Sequence, residues 1–244
     1  MKNYNTVWDE IFKERNPSSY PFDNVVSFLF RNYPRNKPKE KIKILEVGCG
    51  GGNNMWCAAR EGFEVHGIDG SGRAIEIAKN RFLEDNLNGN FIQGDFTELP
   101  FKDDFFDIVI DRCSIVCVDK ISAQKTFNEI FRVLKKKGKF FFNSYSDDHT
   151  SCVKAELLDN GITTNINSGS LVGSGDLSFY NEKELLAKFS LPWEIISMKH
   201  KNTSTFAFLL IQRSFLALSL VAMISVTVDA EDELVVFNPM DVFE

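Results

Sequence analysis

The segment ILEVGCGGG, residues 44–52, decides the fold class of this chain. Its apolar first half is typical of a short buried parallel strand, and the glycines that follow end that strand. Small residues in such a turn let the backbone adopt positive φ angles and come close to a ligand. A helix is predicted directly afterwards, over 53–61, so its free amides and positive end would face the same ligand. The segment therefore predicts a strand–turn–helix unit that binds an anionic group.

Strands and helices alternate along the rest of the chain. Further strands are predicted at 63–69, 90–95, 105–111 and 139–145. Helices are predicted at 7–15, 22–33, 71–84 (with Ser71 as N-cap) and 121–135. A helix at 181–189 and an antiparallel hairpin of 193–201 with 205–213 complete the pattern. This order predicts an α/β sandwich with a mostly parallel sheet, whose ligands bind beyond the C-terminal ends of the strands.

Two acidic residues end the second and third strands. Asp69 lies 21 residues after Gly48, where a carboxylate accepts hydrogen bonds from both hydroxyls of a ribose. Asp95 is placed to accept from an adenine amino group, with the Phe96 ring packed on the base. These features also suit a nicotinamide cofactor. The glycine loop, however, has the pattern Glu-x-Gly-x-Gly-x-Gly over 46–52 and lacks the GxGxxG of dinucleotide-binding folds.

The whole motif set resembles the class I S-adenosylmethionine-dependent methyltransferases, in particular those that act on small molecules. The matching segments are ILEVGCGGG (44–52), VHGIDGSGRAIEIAK (65–79), FIQGDFTELPF (91–101), FFDIVIDRCSIVCVD (105–119) and FRVLKKKGKFFF (131–142). The resemblance implies a Rossmann-like three-layer α/β sandwich. It also implies a seven-stranded, mostly parallel sheet whose last strand is antiparallel, with S-adenosyl-L-methionine as the cofactor.

The resemblance also assigns the cofactor-binding residues. Around the methionine part it places Glu46, Gly48, Gly50 and Gly52, and Arg112 would contribute its backbone there. It places Asp69 at the ribose and Asp95 and Phe96 at the adenine, and Gly70 is included among the cofactor-binding residues.

Catalysis needs little from the protein, because the sulfonium is already an activated methyl donor and the main task is to align the acceptor. A base is needed only if the acceptor must lose a proton. Asp111 and His149, each placed just past a central strand, are the candidates for that base. The alternatives are a cap or a partner of Arg112 for Asp111 and a solvated loop position for His149. Cys113 and Cys117 are expected to be small wall residues.

Three regions are predicted: an N-terminal helical lid (1–39), a cofactor-binding methyltransferase domain (40–213) and an acidic extension (214–244). The lid carries the aromatic residues Trp8, Phe12, Tyr20 and Phe22, which either cover the cofactor or pack on the sheet. The long loop 147–178 is expected to form the other wall of the acceptor site. Its Asn and Ser residues favour a polar acceptor.

Charge excludes a general nucleic-acid binder. The formal net charge is −6 and the pI about 5.3. The last 31 residues hold six acids and no Lys or Arg, so this tail accounts for the whole net charge. The run Lys135-Lys136-Lys137 is interpreted as a helix C-terminus. Because the five cysteines show no zinc spacing, no metal site is predicted.

The apolar run 215–228 has only 14 residues, too few to span a bilayer. Together with the absence of an apolar leader, this predicts a cytoplasmic protein without membrane contact. The tail is interpreted as an added strand–turn element or an oligomer contact. It also resembles the second half of an acyl-carrier protein, with Ser214 at the carrier serine but Arg213 in place of the expected Asp.

The sequence thus predicts an S-adenosylmethionine-dependent methyltransferase for a small polar acceptor, such as a sugar or a nucleotide-linked metabolite, with O-methylation favoured over N-methylation. One alternative is a cofactor-binding partner subunit that has lost catalysis. Another is a nicotinamide-dependent oxidoreductase.

Overall fold

The computed structural model describes residues 7–14, 18–190, 192–200, 206–213, 225–228 and 233–237. Its helices are α1 (Val7–Glu14), α2 (Asp23–Asn32), α3 (Asn53–Arg60), α4 (Gly72–Glu84), α5 (Lys120–Val133) and α6 (Glu182–Lys188). Its strands are β1 (Lys43–Val47), β2 (Glu64–Asp69), β3 (Asn90–Gln93), β4 (Phe106–Arg112), β5 (Leu134–Ser146), β6 (Glu156–Leu157), β7 (Thr163–Thr164), β8 (Phe179–Tyr180), β9 (Trp193–His200), β10 (Phe206–Arg213), β11 (Ser225–Val228) and β12 (Glu233–Phe237). None of the described helices combines the length and the apolar character that crossing a bilayer requires.

The main sheet has the strand order β11-β12-β9-β10-β5-β4-β1-β2-β3. From β3 to β5 the neighbouring strands are parallel, and β10 runs antiparallel to both β5 and β9. The α/β class and the mostly parallel sheet are confirmed. The predicted count of seven strands is too low, because β8 pairs with the end of β5, and the hairpin β11–β12 joins the edge at β9.

Two apolar cores lie on opposite faces of the sheet, because successive strand residues alternate between its faces. On one face Ile44 and Ile108 pack with residues of α2, α3 and α4. On the other face Leu45 and Val109 pack with residues of α5 and α6. The result is the three-layer sandwich that the sequence predicts.

The helix ends match the sequence pattern at one position and depart from it at another. Ser71 caps α4 as predicted, since its Oγ accepts a hydrogen bond from the Ala74 N–H at 3.1 Å. The interpretation of Lys135–Lys137 as a helix end is wrong. Helix α5 ends at Val133, and β5 pairs with β4 through Leu134 and again from Lys139, so the lysines lie in a bulge between these two pairings.

The tail adds strands to the sheet. The last four residues of the apolar run 215–228 form β11. The rest of that run and Ser214 lie outside the described residues, so the resemblance to an acyl-carrier protein stays a prediction. The pairing of β12 with β9 agrees with the expectation of an added strand–turn element.

Candidate functional site

A cavity of about 410 Å³ opens beyond the C-terminal ends of the central strands. Such crevices are where open α/β sheets bind ligands. Helix α1 and the segment after it contribute Trp8, Ile11, Phe12, Ser18 and Phe22. The turns after β1, β2 and β3 contribute Gly48–Gly51, Gly70 and Gly94–Phe96, together with the strand-end residues Glu46 and Asp69 and with Asn53 and Asn54 of α3. The ends of β4 and β5 contribute Arg112, Cys113, Ser114, Cys117, Val118 and Tyr145.

The glycine loop forms the floor of this cavity. Gly48 and Gly50 have φ angles of +64° and +52°, in the left-handed region that side chains disfavour. A Cβ atom on Gly48 would lie 2.1 Å from Ser114 Oγ, and one on Gly50 would lie 3.2 Å from the Phe12 ring. Gly52 does not line the cavity. It precedes α3 and lies against Ala78 of α4, where it permits close helix packing.

Asp69 ends β2 at the rim of the loop and is almost fully buried. Its Oδ2 accepts from the Gly50 N–H and its Oδ1 accepts from the Ser71 N–H, both at 2.8 Å. Burial raises the pKa of Asp69, and the two N–H donors oppose that rise. Each carboxylate oxygen keeps a free lone pair, so the group can still accept hydrogen bonds from two ligand hydroxyls.

Glu46 is the residue before the last in β1, on the α3 side of the sheet, and is 2% exposed. Its Oε1 accepts from Asn54 Nδ2 at 2.6 Å, whereas its buried Oε2 has no hydrogen-bond partner. Burial, with added repulsion from Asp111 and Asp69, raises the pKa of Glu46 to about 8. An unpartnered buried carboxylate oxygen at a cavity wall is suited to a cationic ligand group.

Asp95 and Phe96 follow β3 and form the edge of the cavity next to Gly70. Asp95 Oδ1 accepts from the Thr97 N–H at 2.8 Å and from Thr97 Oγ1 at 2.7 Å. This local turn fixes the carboxylate beside the half-buried Phe96 ring. The pair therefore offers a hydrogen-bond acceptor next to an apolar face.

Helix α1 and the segment after it cover the cavity. Trp8, Phe12 and Phe22 line it, whereas the Tyr20 side chain is 77% exposed and faces away. The helix is attached to the start of α4 by a hydrogen bond of 2.5 Å from Ser71 Oγ to an Asp9 carboxylate oxygen. The sequence left two roles open for these four aromatic residues, covering the ligand site or packing on the sheet. The positions of Trp8, Phe12 and Phe22 agree with the covering role.

Asp111 lies inside β4 and does not line the cavity. It is fully buried, and its Oδ1 accepts from the backbone N–H groups of Ser114 and Ile115 at 2.9 and 3.0 Å. Burial raises the pKa of Asp111 to about 7. These contacts agree with the capping alternative: the carboxylate holds the turn that carries Cys113, whose φ is +57°.

His149 also lies outside the cavity lining. It is 3% exposed, so the solvated loop position does not occur. Its Nδ1 accepts from the Ser151 N–H at 3.0 Å, and its ring packs against Tyr145 and Phe179. Burial lowers its pKa, which favours the neutral ring. The predicted bases Asp111 and His149 thus have contacts with the fold and none with the cavity.

The loop 147–178 does not form a cavity wall, contrary to expectation, since none of its residues lines the cavity. It contains the small hairpin β6–β7 and is bound to the protein through Ser178, whose N–H donates to Val116 O at 2.6 Å. The wall after β4 and β5 consists instead of Cys113, Cys117, Val118 and Tyr145, together with the polar residues Arg112 and Ser114. Burial raises the pKa of both thiols, so they are not thiolate nucleophiles at neutral pH.

Sequence reasoning missed Asn53, Asn54 and Tyr145 as lining residues. Asn53 Nδ2 donates to Tyr20 O at 2.7 Å, and Asn54 Oδ1 accepts from the Phe22 N–H at 2.9 Å. The sequence does indicate these two residues, because Asn53 and Asn54 directly follow the glycine loop. Tyr145 carries no comparable local signal.

Comparisons with known proteins agree with this geometry. A family model described as a methyltransferase domain matches residues 38–188, more than half of the chain. YqeM of Bacillus subtilis, named as a methyltransferase, is 30% identical over 164 residues, which cover 64% of this chain and 58% of that protein. The botryococcene C-methyltransferase of Botryococcus braunii is 32% identical over 137 residues, 51% of this chain and 35% of that protein. The chain therefore spans well under two thirds of the length of either relative.

A solved S-adenosylmethionine-dependent methyltransferase from Methanosarcina mazei shares the fold. Its TM-score to this chain is 0.60 at 21% sequence identity, over 77% of this chain and 98% of that one. The strand order, the glycine loop and the acids at the strand ends define the class I S-adenosylmethionine-dependent methyltransferases. The chain belongs to the methyltransferase domain family of that class, whose cofactor is S-adenosylmethionine.

The described residues fit that cofactor. The orphaned Glu46 Oε2 suits an ammonium group, and the bare backbone at Gly48 and Gly50 leaves space that side chains would fill. Asp69 has lone pairs left for ribose hydroxyls, and Asp95 with Phe96 suits an adenine. Every predicted cofactor residue except Gly52 lines the cavity.

Proposed function

We propose that this chain transfers a methyl group from S-adenosylmethionine to a small molecule. One observation carries the proposal: a single cavity joins the glycine loop, the buried Glu46 carboxylate, the Asp69 carboxylate and the Asp95–Phe96 pair. These groups match, in order along the sheet edge, the amino-acid, ribose and adenine parts of the cofactor. The bound cofactor supplies an electrophilic methyl group on a positively charged sulfur.

The protein's part in this reaction is alignment and exclusion of water. Trp8, Ile11 and Phe12 place an apolar cover over the glycine loop. The carboxylates at the cavity lie at or just after the ends of β1, β2 and β3, on the side of the cofactor. The wall after β4 and β5 offers thiols and a phenol whose pKa values burial raises, so none of them takes up a proton at neutral pH.

The carboxylates thus lie on one side of the cavity, and the described residues of the wall on the other side include no group that could act as a base. This arrangement favours an acceptor that has an apolar face and an atom that is nucleophilic without a protein base. The sequence favoured a polar acceptor because of the residues of loop 147–178, and none of them lines the cavity. The preference for oxygen as the acceptor atom stays a prediction. The wall of Cys113, Cys117 and Val118 instead suits an apolar molecular surface. Amines that bind in their unprotonated form, thiolates and activated carbon atoms are the acceptor atoms that meet both requirements.

The first test is calorimetric titration with S-adenosylmethionine and its demethylated product, with NADH as a control ligand. Asp69→Ala should weaken binding of both cofactor forms about 100-fold, because two hydrogen bonds to a charged group contribute about 3 kcal/mol together. Asp159→Ala is the matched control, since Asp159 is exposed and lies outside the cavity lining. Equal affinities of the two variants, or tight binding of NADH, would contradict the proposal.

The second test measures transfer of labelled methyl groups to a panel of amines, thiols, phenols, sugars and unsaturated lipids. Turnover with acceptors that have an apolar face supports the proposal. Binding of the cofactor without turnover on the whole panel would favour the alternative of a non-catalytic partner subunit. Turnover restricted to sugars would contradict the acceptor class proposed here.

A further inference from the structure

Two buried side-chain atoms at the cavity have no hydrogen-bond partner, one in a carboxyl group and one in a guanidinium group. They are Glu46 Oε2 and Arg112 Nε. Buried polar atoms are almost always hydrogen-bonded, so an orphaned pair at a cavity wall needs an explanation. A guanidinium group and a carboxyl group that ionises beside a bound cation together suit a ligand group that carries both charges.

The position of the Arg112 guanidinium depends on the N-terminal segment. Its Cζ lies 3.9 Å from the centre of the Phe22 ring, within the range of a cation–π contact. Stacking on an aromatic face restricts a guanidinium to one plane while leaving its N–H groups free to bind a carboxylate. Phe22 therefore determines where the positive charge lies.

The same segment is tied to the negative charge by one side chain. Asn54 Oδ1 accepts from the Phe22 N–H at 2.9 Å, and Asn54 Nδ2 donates to Glu46 Oε1 at 2.6 Å. The Asn54 amide thus connects the Phe22 backbone with the Glu46 carboxylate, while the Phe22 ring contacts Arg112. Both charges are oriented through a residue outside the matched family domain, which begins at residue 38.

We propose that Phe22 is a positioning residue that holds the Arg112 guanidinium opposite Glu46, so that the two side chains bind the carboxylate and the ammonium of the cofactor's methionine. The inference rests on the proposed function. It assigns the Arg112 side chain a role in binding, whereas the family resemblance implied only its backbone. It also makes the N-terminal segment part of the cofactor site.

The test compares two ligands that differ in the amino-acid group. S-adenosylhomocysteine carries it, and 5′-methylthioadenosine lacks it. For the full chain, Arg112→Met should weaken binding of S-adenosylhomocysteine about tenfold or more, because a hydrogen bond between charged groups is lost. Binding of 5′-methylthioadenosine should change less than about twofold. The affinity ratio of the two ligands is therefore the readout.

Phe22 variants test the positioning role with the same ratio. Phe22→Leu should lower it about threefold or more, since the cation–π contact disappears, and Phe22→Tyr should keep it because the aromatic face remains. Tyr20→Leu is the matched control, being an aromatic residue of the same segment with an exposed side chain. Circular dichroism and thermal unfolding of each variant show that it is folded.

The outcomes separate this inference from the proposed function. If the wild-type chain binds neither ligand, the proposed function fails and the inference fails with it. If it binds both but Arg112→Met leaves the ratio unchanged, only the inference is overturned. Equal losses for both ligands in Phe22→Leu, without recovery in Phe22→Tyr, would show a purely structural role and also overturn it.

Discussion

Replacing Gly48 with alanine should destabilise the protein for two separable reasons. The φ angle of +64° costs an L-residue about 1–2 kcal/mol. The new Cβ would also lie 2.1 Å from Ser114 Oγ and 2.2 Å from Ser114 Cβ, and such overpacking costs about 1–3 kcal/mol. The expected total loss in the free energy of unfolding is about 2–5 kcal/mol. Gly62→Ala is the matched control, because Gly62 has a φ of +92° but nothing within 4 Å of its Cβ position.

A second substitution separates strain from crowding. Ser114→Gly removes both crowding atoms and should recover about 1–3 kcal/mol in the Gly48→Ala background, as measured by a double-mutant cycle. Ser114→Ala should recover much less, because its Cβ remains 2.2 Å from the new methyl group. The assay is urea unfolding with a check that the m-values agree. A loss for Gly48→Ala no larger than that for Gly62→Ala, or equal recovery by Ser114→Ala and Ser114→Gly, would refute the reasoning.

Further predictions concern titration, reactivity and a buried ion cluster. Burial raises the pKa of Asp111 to about 7 from an ordinary value near 3.8, so stability from this group is present below about pH 4 and is lost as the pH rises through 7. Asp111→Asn should therefore flatten the fall in unfolding free energy between pH 4 and 8 by an amount on the order of 3 kcal/mol; an unchanged slope would contradict this. Burial raises the pKa of Cys113 to about 12, so its alkylation by iodoacetamide at pH 8 should be at least about tenfold slower than that of free cysteine, followed by mass spectrometry. Asp107 is 8% exposed and accepts from the partly exposed Lys37 and Lys135 and from the Lys43 N–H. Asp107→Ala should therefore lower the free energy of unfolding in urea by about 1–3 kcal/mol, and a loss under about 0.5 kcal/mol would contradict a structural role for these hydrogen bonds.

The cofactor side of the cavity was predictable because the backbone dictates it. Gly48 and Gly50 occupy positions that disfavour side chains, and Asp69 and Asp95 end or directly follow strands whose C-terminal ends meet at one edge. Local spacing then determines the spatial order of these groups. Gly52 was misplaced because one more glycine in the same run serves the packing of α3 on α4.

The candidate bases were less predictable, because their roles depend on where a side chain turns. Asp111 has the sequence position of a strand-end carboxylate, yet the chain bends sharply after Arg112 and presents two amides that need an acceptor. His149 likewise meets the amide of Ser151 and two aromatic rings. The spacing of residues in the sequence predicts neither the contacts of Asp111 nor those of His149.

The sequence alone determined the strand and helix order of the central sheet, the class of cofactor and most of the residues that line the cavity at the ends of β1, β2 and β3, because those depend on hydrophobic period and on backbone constraints within a few residues of each other. Only the tertiary structure decided that α1 and Phe22 cover the cavity, that loop 147–178 lies elsewhere and that β12 extends the sheet at β9. Contacts between segments far apart in the chain, such as Phe22 with Arg112, depend on how the layers pack around the whole core. The energy of such a contact depends on both segments together, so the local sequence pattern of either segment does not predict it.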